Sequence, residues 1–269
     1  MRFQSSPGCR MPTRAVRDEI ACRRKGFQWP WHPLQVVSWV VFLGVLADFI
    51  LVFSVMVYDV PGIILSAAYV IPFLCAWVSA AYAMAVDPAD PGVLAKAAVI
   101  RAGGIWREGT APVEALFCSS CAVYVRKGAL HCNVCDKCVD GYDHHCPWLN
   151  TCIGARNYRA FLVMVVSLTV VCGLHVAAFT YAGAQLANGD PELLHRASTT
   201  LGLSSLGYGA VLAVSGGGML VLFLNLLPQL FLHARARWHG LGTYEDFLRH
   251  ERSRPGNRRN RVQPQPPEV

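Results

Sequence analysis

At 269 residues, with 54% of them apolar and 15% charged, the chain is too apolar for a typical soluble domain, where about half the residues are apolar and a quarter charged. The bilayer is therefore the first solvent to consider. A formal net charge of +7 raises nucleic acid as a partner, but the arginines flank long apolar runs, where anionic lipid headgroups answer them, so no nucleic acid is expected.

Residues 1–33 form an N-terminal arm that mixes Arg, Pro, Cys and Trp, and its Trp29-Pro30-Trp31-His32-Pro33 run suits a membrane-interface collar. No secretory signal peptide is read there, so the first apolar run is expected to be a retained anchor. Crossing a hydrocarbon core takes about 20 apolar residues per helix, and four stretches are long enough: 34–57, 62–86, 160–187 and 206–232. The first two make a transmembrane pair over 34–86 and the last two a pair over 160–232. Seven Lys/Arg precede the first span, eight lie between spans two and three, one (Arg196) lies between three and four, and eight follow. The positive-inside rule then puts both termini and the 87–159 segment in the cytosol. Residues 233–269 form a C-terminal tail that reads as disordered from Arg249 onward. No internal repeat is read along the chain.

Inside the spans, Asp48 is expected to be paired within the helix bundle. Gly216-Gly217-Gly218 allows close helix approach, and Asn225 with Pro228 suggests a kink or local hydrogen bonding. Cys75 and Cys172 read as small apolar fillers. Cys9 and Cys22, on the basic arm, are candidate acyl acceptors.

The apolar residues of the 87–159 segment are too scattered for a core, but seven of the eleven cysteines fall between Cys118 and Cys152, with His131, His144 and His145 among them. Small modules of this kind are held by zinc, and a cytosolic location keeps thiols reduced, which disfavours disulfides. Structural zinc takes four ligands, so two ions use eight of these ten candidates and leave one Cys and one His over. Neighbours in extended chain point to opposite sides, so His131 and Cys132 should serve different ions. If His145 turns to a metal, His144 and Cys146 are displayed together on the other face.

A thiol beside an imidazole is a nucleophile with its base. Asp143 can orient the imidazole and stabilise its charged form, the third role of a triad. The bland reading is that Cys146 is a ninth ligand in a distorted site and His144 a surface residue. Spacing alone leaves both open.

The run from Cys118 to Phe161, with Asp143-His144-His145-Cys146 at its centre, then Cys152 and Asn157, resembles the cysteine-rich domain of the DHHC protein S-acyltransferases, or palmitoyltransferases. Asp90-Pro91-Gly92 matches that family's DPG motif. Gly242-Thr243-Tyr244-Glu245 resembles its TTxE motif, with Gly in place of the first Thr. The resemblance implies an all-α polytopic membrane protein of four transmembrane helices, with a small cytosolic two-zinc cysteine-rich module (about 118–161) between helices 2 and 3. It implies one structural zinc on Cys118, Cys121, His131 and Cys138, and another on Cys132, Cys135, His145 and Cys152. Cys146 is then the autoacylated nucleophile, His144 its general base and Asp143 the orienting carboxylate. Asp90, Pro91, Gly92, Thr243, Glu245 and Asn157 take structural roles.

The implied activity moves a long acyl group from acyl-CoA, such as palmitoyl-CoA, to Cys146 as a thioester, and then to membrane-proximal cysteines of protein substrates. Exposing a sixteen-carbon tail to water would cost on the order of 12 kcal/mol, so the tail must stay in an apolar place. Eight residues take the chain from Cys152 to the third span, a reach of at most about 29 Å, so Cys146 can work at the cytosolic membrane face. Arg126 and Lys127 are candidates to meet the coenzyme A phosphates, with contact to lipid headgroups as the alternative. The Golgi, the ER or the plasma membrane is the expected location. The rival reading is a non-enzymatic membrane adaptor whose zinc module recruits a partner. A zinc hydrolase fits poorly, because eight ligands leave neither ion an open position.

Overall fold

The computed structural model describes residues 23–111 and 113–239. Thr243 and Glu245, the candidate acceptors Cys9 and Cys22, and the C-terminal tail beyond residue 239 lie outside the described residues.

Four of the helices are long and apolar enough to cross a membrane: α1 (Pro33–Met56), α2 (Val60–Ala85), α4 (Tyr158–Ala187) and α6 (Ser205–Trp238). The shortest has 24 residues, about 36 Å at 1.5 Å per residue, which exceeds the hydrocarbon thickness. A helix satisfies its own backbone groups in lipid, which is why these sequences take this form. The chain is an integral membrane protein. The ends differ slightly from the apolar stretches, most at α6, which continues to Trp238 and carries Arg235 and Arg237 in its last turn. Cations there oppose the negative end of the helix dipole.

Two shorter helices were not read from the sequence. α3 (Pro91–Arg101) and α5 (Pro191–Leu201) both begin with Asp-Pro. Asp90 and Asp190 cap them, each accepting from a backbone N–H at 2.8 Å, and the proline fills the first turn, where no amide partner is needed.

The chain divides into two compact units. Of the described residues, the first gathers those from 23 to 35, Ala81–Phe161 and those from 234 to 239. Its centre is three antiparallel hairpins: β1 (Leu116–Cys118) with β2 (Val123–Val125), β3 (Leu130–Cys132) with β4 (Lys137–Val139), and β5 (His144–Cys146) with β6 (Thr151–Ile153). Each hairpin starts fourteen residues after the one before, and the turn residue in the left-handed region recurs at the same interval, as Ala122, Asp136 and Asn150. An internal repeat is therefore present, contrary to the sequence reading. It escaped notice because the third copy carries Leu149 in place of its second cysteine and the first carries Phe117 and Tyr124 in place of the His and Cys of the others.

α3 is tied to these hairpins. Besides capping the helix, Asp90 accepts from the Arg126 amide at 3.0 Å, and its own amide donates to the Cys138 carbonyl at 2.9 Å. A Cβ on Gly92 would sit 2.4 Å from the Tyr124 carbonyl oxygen, so only glycine allows this approach. Asp90 and Gly92 thus tie the start of α3 to the first two hairpins.

The second unit comprises Val36–Ala80 and Leu162–His233. Phe53, Tyr69, Tyr208, Leu193 and Val171 lie in its core. His175 is fully buried and faces Asp48 at 3.7 Å, and Ser215 lies near the same carboxylate, so this intramembrane carboxylate has polar neighbours inside the bundle. Gly216 meets the Phe179 ring, where a Cβ would come within 3.1 Å, whereas Gly217 and Gly218 face open space. Close approach thus applies to one of the three glycines. Asn225 Nδ2 donates to the Val221 carbonyl at 2.7 Å, the local hydrogen bond expected near Pro228. Arg196 donates to the carbonyls of Val55 and Ser54 at the end of α1, where carbonyls lack helical partners.

Candidate active site and metal clusters

The hairpins gather Cys118, Cys121, His131 and Cys138 in one cluster and Cys132, Cys135, His145 and Cys152 in a second, with all four ligand atoms of each cluster within 4.8 Å of one another. The construction is the same in both. A Cys-x-x-Cys pair comes from the end of one strand and its turn, and the His and remaining Cys come from a directly opposed pair in the next hairpin, His131↔Cys138 or His145↔Cys152. His131 and Cys132 go to different clusters, as strand alternation requires.

The donors suit zinc. Ligands 2.0–2.3 Å from a tetrahedral ion stand about 3.3–3.8 Å from one another. His131 Nδ1 lies 3.8, 3.4 and 3.9 Å from the sulfurs of Cys118, Cys121 and Cys138. His145 Nδ1 lies 3.9, 3.4 and 3.6 Å from those of Cys132, Cys135 and Cys152. The other nitrogen of His131 faces the Asp136 carboxylate at 3.4 Å, the arrangement that orients metal-ligating imidazoles. Hydrogen bonds among the crowded sulfurs, with burial, push the thiols of Cys138 and Cys152 upward. A divalent cation would relieve that crowding by holding all of them as thiolates. Either cluster can hold a zinc ion.

Cys146 belongs to neither cluster. It ends β5 and is buried, one residue beyond His145, so it lies on the opposite side of the strand from that metal-facing imidazole. His144 shares its side. His144 Nδ1 lies 2.7 Å from Asp143 Oδ2, and Cys146 is close enough to the same ring to raise its pKa. Burial works against a charged imidazole, but the Asp143 hydrogen bond and the nearby Cys146 sulfur outweigh it and raise His144 to about 9. The ring packs edge-on against Phe161 of α4, centroids 5.2 Å apart. The imidazole thus stands beside the first turn of a membrane helix.

Several residues hold this corner in place. Asn157, fully buried, donates to the carbonyls of Ala83 and Cys152 at 3.2 and 2.9 Å and accepts from the Gly154 amide at 2.9 Å. Sequence reasoning missed three others: Asn150, Lys137 and Asp87. Asn150 sits in the left-handed turn of the third hairpin and donates to the carbonyls of Gly26 and Pro30. Lys137, 3% exposed, reaches Asp87 at 2.6 Å and the Arg24 carbonyl at 3.2 Å. Asn in a tight turn is a usable sequence signal, but the Lys137 ion pair has none. Arg126 pairs with Asp140 at 3.0 Å and Lys127 with Glu114 at 3.4 Å, both on the surface.

The sequence profile of the DHHC palmitoyltransferase family matches residues 112–249, just over half of the chain. The chain belongs to this family. Among curated DHHC relatives, palmitoyltransferase erf2 of Schizosaccharomyces pombe is 33% identical over 143 residues, covering 53% of this chain and 37% of that protein. Palmitoyltransferase ZDHHC5-B of Danio rerio is 53% identical over 58 residues, 22% of this chain and 9% of that protein. Probable protein S-acyltransferase 7 of Arabidopsis thaliana is 45% identical over 65 residues, 24% of this chain and 14% of that protein. The matched segments thus span between 9% and 37% of these DHHC proteins' own lengths.

Proposed function

We propose that this chain is a protein S-acyltransferase that takes a long acyl group from acyl-CoA onto Cys146 and passes it to cysteines of membrane-associated proteins. The observation that carries this reading is that one sulfur of the cysteine-rich module stands outside both metal clusters, two residues along the same strand from a histidine held by a buried carboxylate. The palmitoyltransferase names of its relatives agree with it.

In the first step His144, with Nδ1 engaged by Asp143, takes the Cys146 proton at Nε2. The thiolate attacks the thioester carbonyl of acyl-CoA, and collapse of the tetrahedral intermediate breaks the bond to the coenzyme A sulfur, which leaves with the proton from His144. In the second step His144 removes a proton from the substrate thiol, the new thiolate attacks the Cys146 thioester, and Cys146 leaves and is reprotonated. No electrons change hands, and the enzyme returns to its starting state. Zinc bound at the two clusters would fix the hairpins. The tail is kept from water by the membrane part of the protein, and the basic-residue pattern supports a cytosolic module and cytosolic termini. Arg126 and Lys127, exposed on the module, are the side chains we assign to the coenzyme A phosphates, each after leaving its surface carboxylate partner.

The test is incubation of the purified, reconstituted protein with labelled palmitoyl-CoA. Hydroxylamine-labile label on wild type and its loss in Cys146→Ser, with zinc content unchanged, is the expected result. Equal label on both proteins overturns the assignment, and cellular rescue by a folded Cys146→Ala variant would favour the adaptor.

A further inference from the structure

The fourteen-residue repeat explains where the surplus sulfur comes from. Each metal cluster draws on two successive hairpins: the Cys-x-x-Cys pair of one and the opposed mid-strand pair of the next. The first hairpin has no predecessor to serve, and its mid-strand pair is Phe117↔Tyr124, two rings stacked edge-on at 5.2 Å rather than ligands. The third hairpin has no successor. Its own pair, at the positions of Cys118/Cys121 and Cys132/Cys135, is Cys146 and Leu149.

The third hairpin therefore begins a metal site that no described residue completes. Cys146 keeps the place of a ligand, while the second sulfur is replaced by a leucine that is 3% exposed. We infer that Leu149 is a positioning residue that keeps Cys146 available for chemistry by denying it the second sulfur of a thiophilic metal site. Alone with His144, the Cys146 sulfur offers a soft metal two donors. With a cysteine at 149 it would offer three, in the same turn that holds a Cys-x-x-Cys pair twice already in this module. In the first of these, the Cys121 amide also donates to the Cys118 sulfur at 3.4 Å. A metal-held thiolate shares with the ion the electron pair that would otherwise attack the thioester, since the thiolate is both nucleophile and ligand.

The consequence for acyl transfer rests on the role proposed above for Cys146, whereas the consequence for metal binding does not. The experiment is to purify full-length wild type, Leu149→Cys, Leu149→Ser and Leu149→Cys/Cys146→Ser, expose each to micromolar Cd2+, remove free metal, and measure total zinc plus cadmium per chain. Two equivalents are expected in wild type, Leu149→Ser and the double variant, and three in Leu149→Cys. Autoacylation of Leu149→Cys should fall about tenfold or more with Cd2+ and return with a chelator, while that of Leu149→Ser should not respond. Two equivalents in Leu149→Cys, or a third that persists in the double variant, overturns the inference. Equal, metal-insensitive losses in Leu149→Cys and Leu149→Ser would also overturn it, since they make Leu149 a packing residue only. Should Leu149→Cys not purify folded, Leu149→His places a ligand at the same position and carries the same expectation. A third equivalent together with unlabelled wild type would sink the acyltransferase reading and leave this one standing.

Discussion

The Asp143 carboxylate accepts from Nδ1 of the adjacent His144 at 2.7 Å while its own side chain is 4% exposed. Adjacent residues in a strand ordinarily point apart. Asp143 escapes this because it precedes β5, where its amide donates to the Ile153 carbonyl at 2.9 Å and the chain enters the hairpin. Replacing Asp143 by Asn removes the charge with little change of shape. The Cys146 autoacylation rate is expected to fall by roughly 10²- to 10⁴-fold, the usual range for general acid–base assistance. Single-turnover labelling checks this, and two zinc equivalents should remain. An unchanged rate would show that the carboxylate does not orient the base.

Neighbouring histidines should fail in different ways. His144→Ala should abolish most autoacylation and keep two zinc equivalents, because His144 touches neither cluster. His145→Ala removes a donor from the second cluster, so one equivalent and the β3–β6 hairpins should both be lost. Apparent zinc binding in small folded modules is worth about 10–16 kcal/mol, so removing a ligand affects folding and not only affinity. Metal analysis with limited proteolysis separates the two variants, and equal zinc content would contradict the ligand assignment. Chelation of the wild type should resemble His145→Ala.

Much of the site was legible because metal-ligand spacing and strand alternation are local rules. His131 and Cys132 were separable from sequence for that reason, as was the shared face of His144 and Cys146. The four long helices were legible from length and hydropathy. The repeat was not, since its third copy carries Leu149 where the others carry cysteine, and its first carries Phe117 and Tyr124 where the others carry His and Cys. Both Asp-Pro helix starts were missed although they carry a sequence signal. Long-range contacts such as Asp87 with Lys137, fifty residues apart, leave no local trace at all.

Asn157 joins the third hairpin to the end of α2, through Ala83, and to its own loop through Gly154. In Asn157→Ala the Ala83 carbonyl and the Gly154 amide lose their side-chain partner at a fully buried position, at about 1–3 kcal/mol for each group left unsatisfied. Lower thermal stability is expected, with slower autoacylation as Cys146 loses its fixed position. Asn157→Asp retains an acceptor for Gly154 but loses the donor to Ala83, so an intermediate loss is expected. A melting temperature equal to wild type in Asn157→Ala would remove it from the framework.

Lys137 and Asp87 supply the sharpest test of the framework. Lys137 is almost wholly buried, and its ammonium meets the Asp87 carboxylate and the Arg24 carbonyl. Lys137→Met leaves that carboxylate without its cation, and breaking a buried pair in this way costs about 3–5 kcal/mol. The same substitution combined with Asp87→Asn leaves no uncompensated charge, so the double variant should be less destabilised than Lys137→Met alone. Thermal unfolding of the four proteins gives the coupling directly. Additive effects would mean that the two groups act separately. Because Lys137 lies between the ligands Cys135 and Cys138, zinc retention should follow the same order, with Lys137→Met weakest.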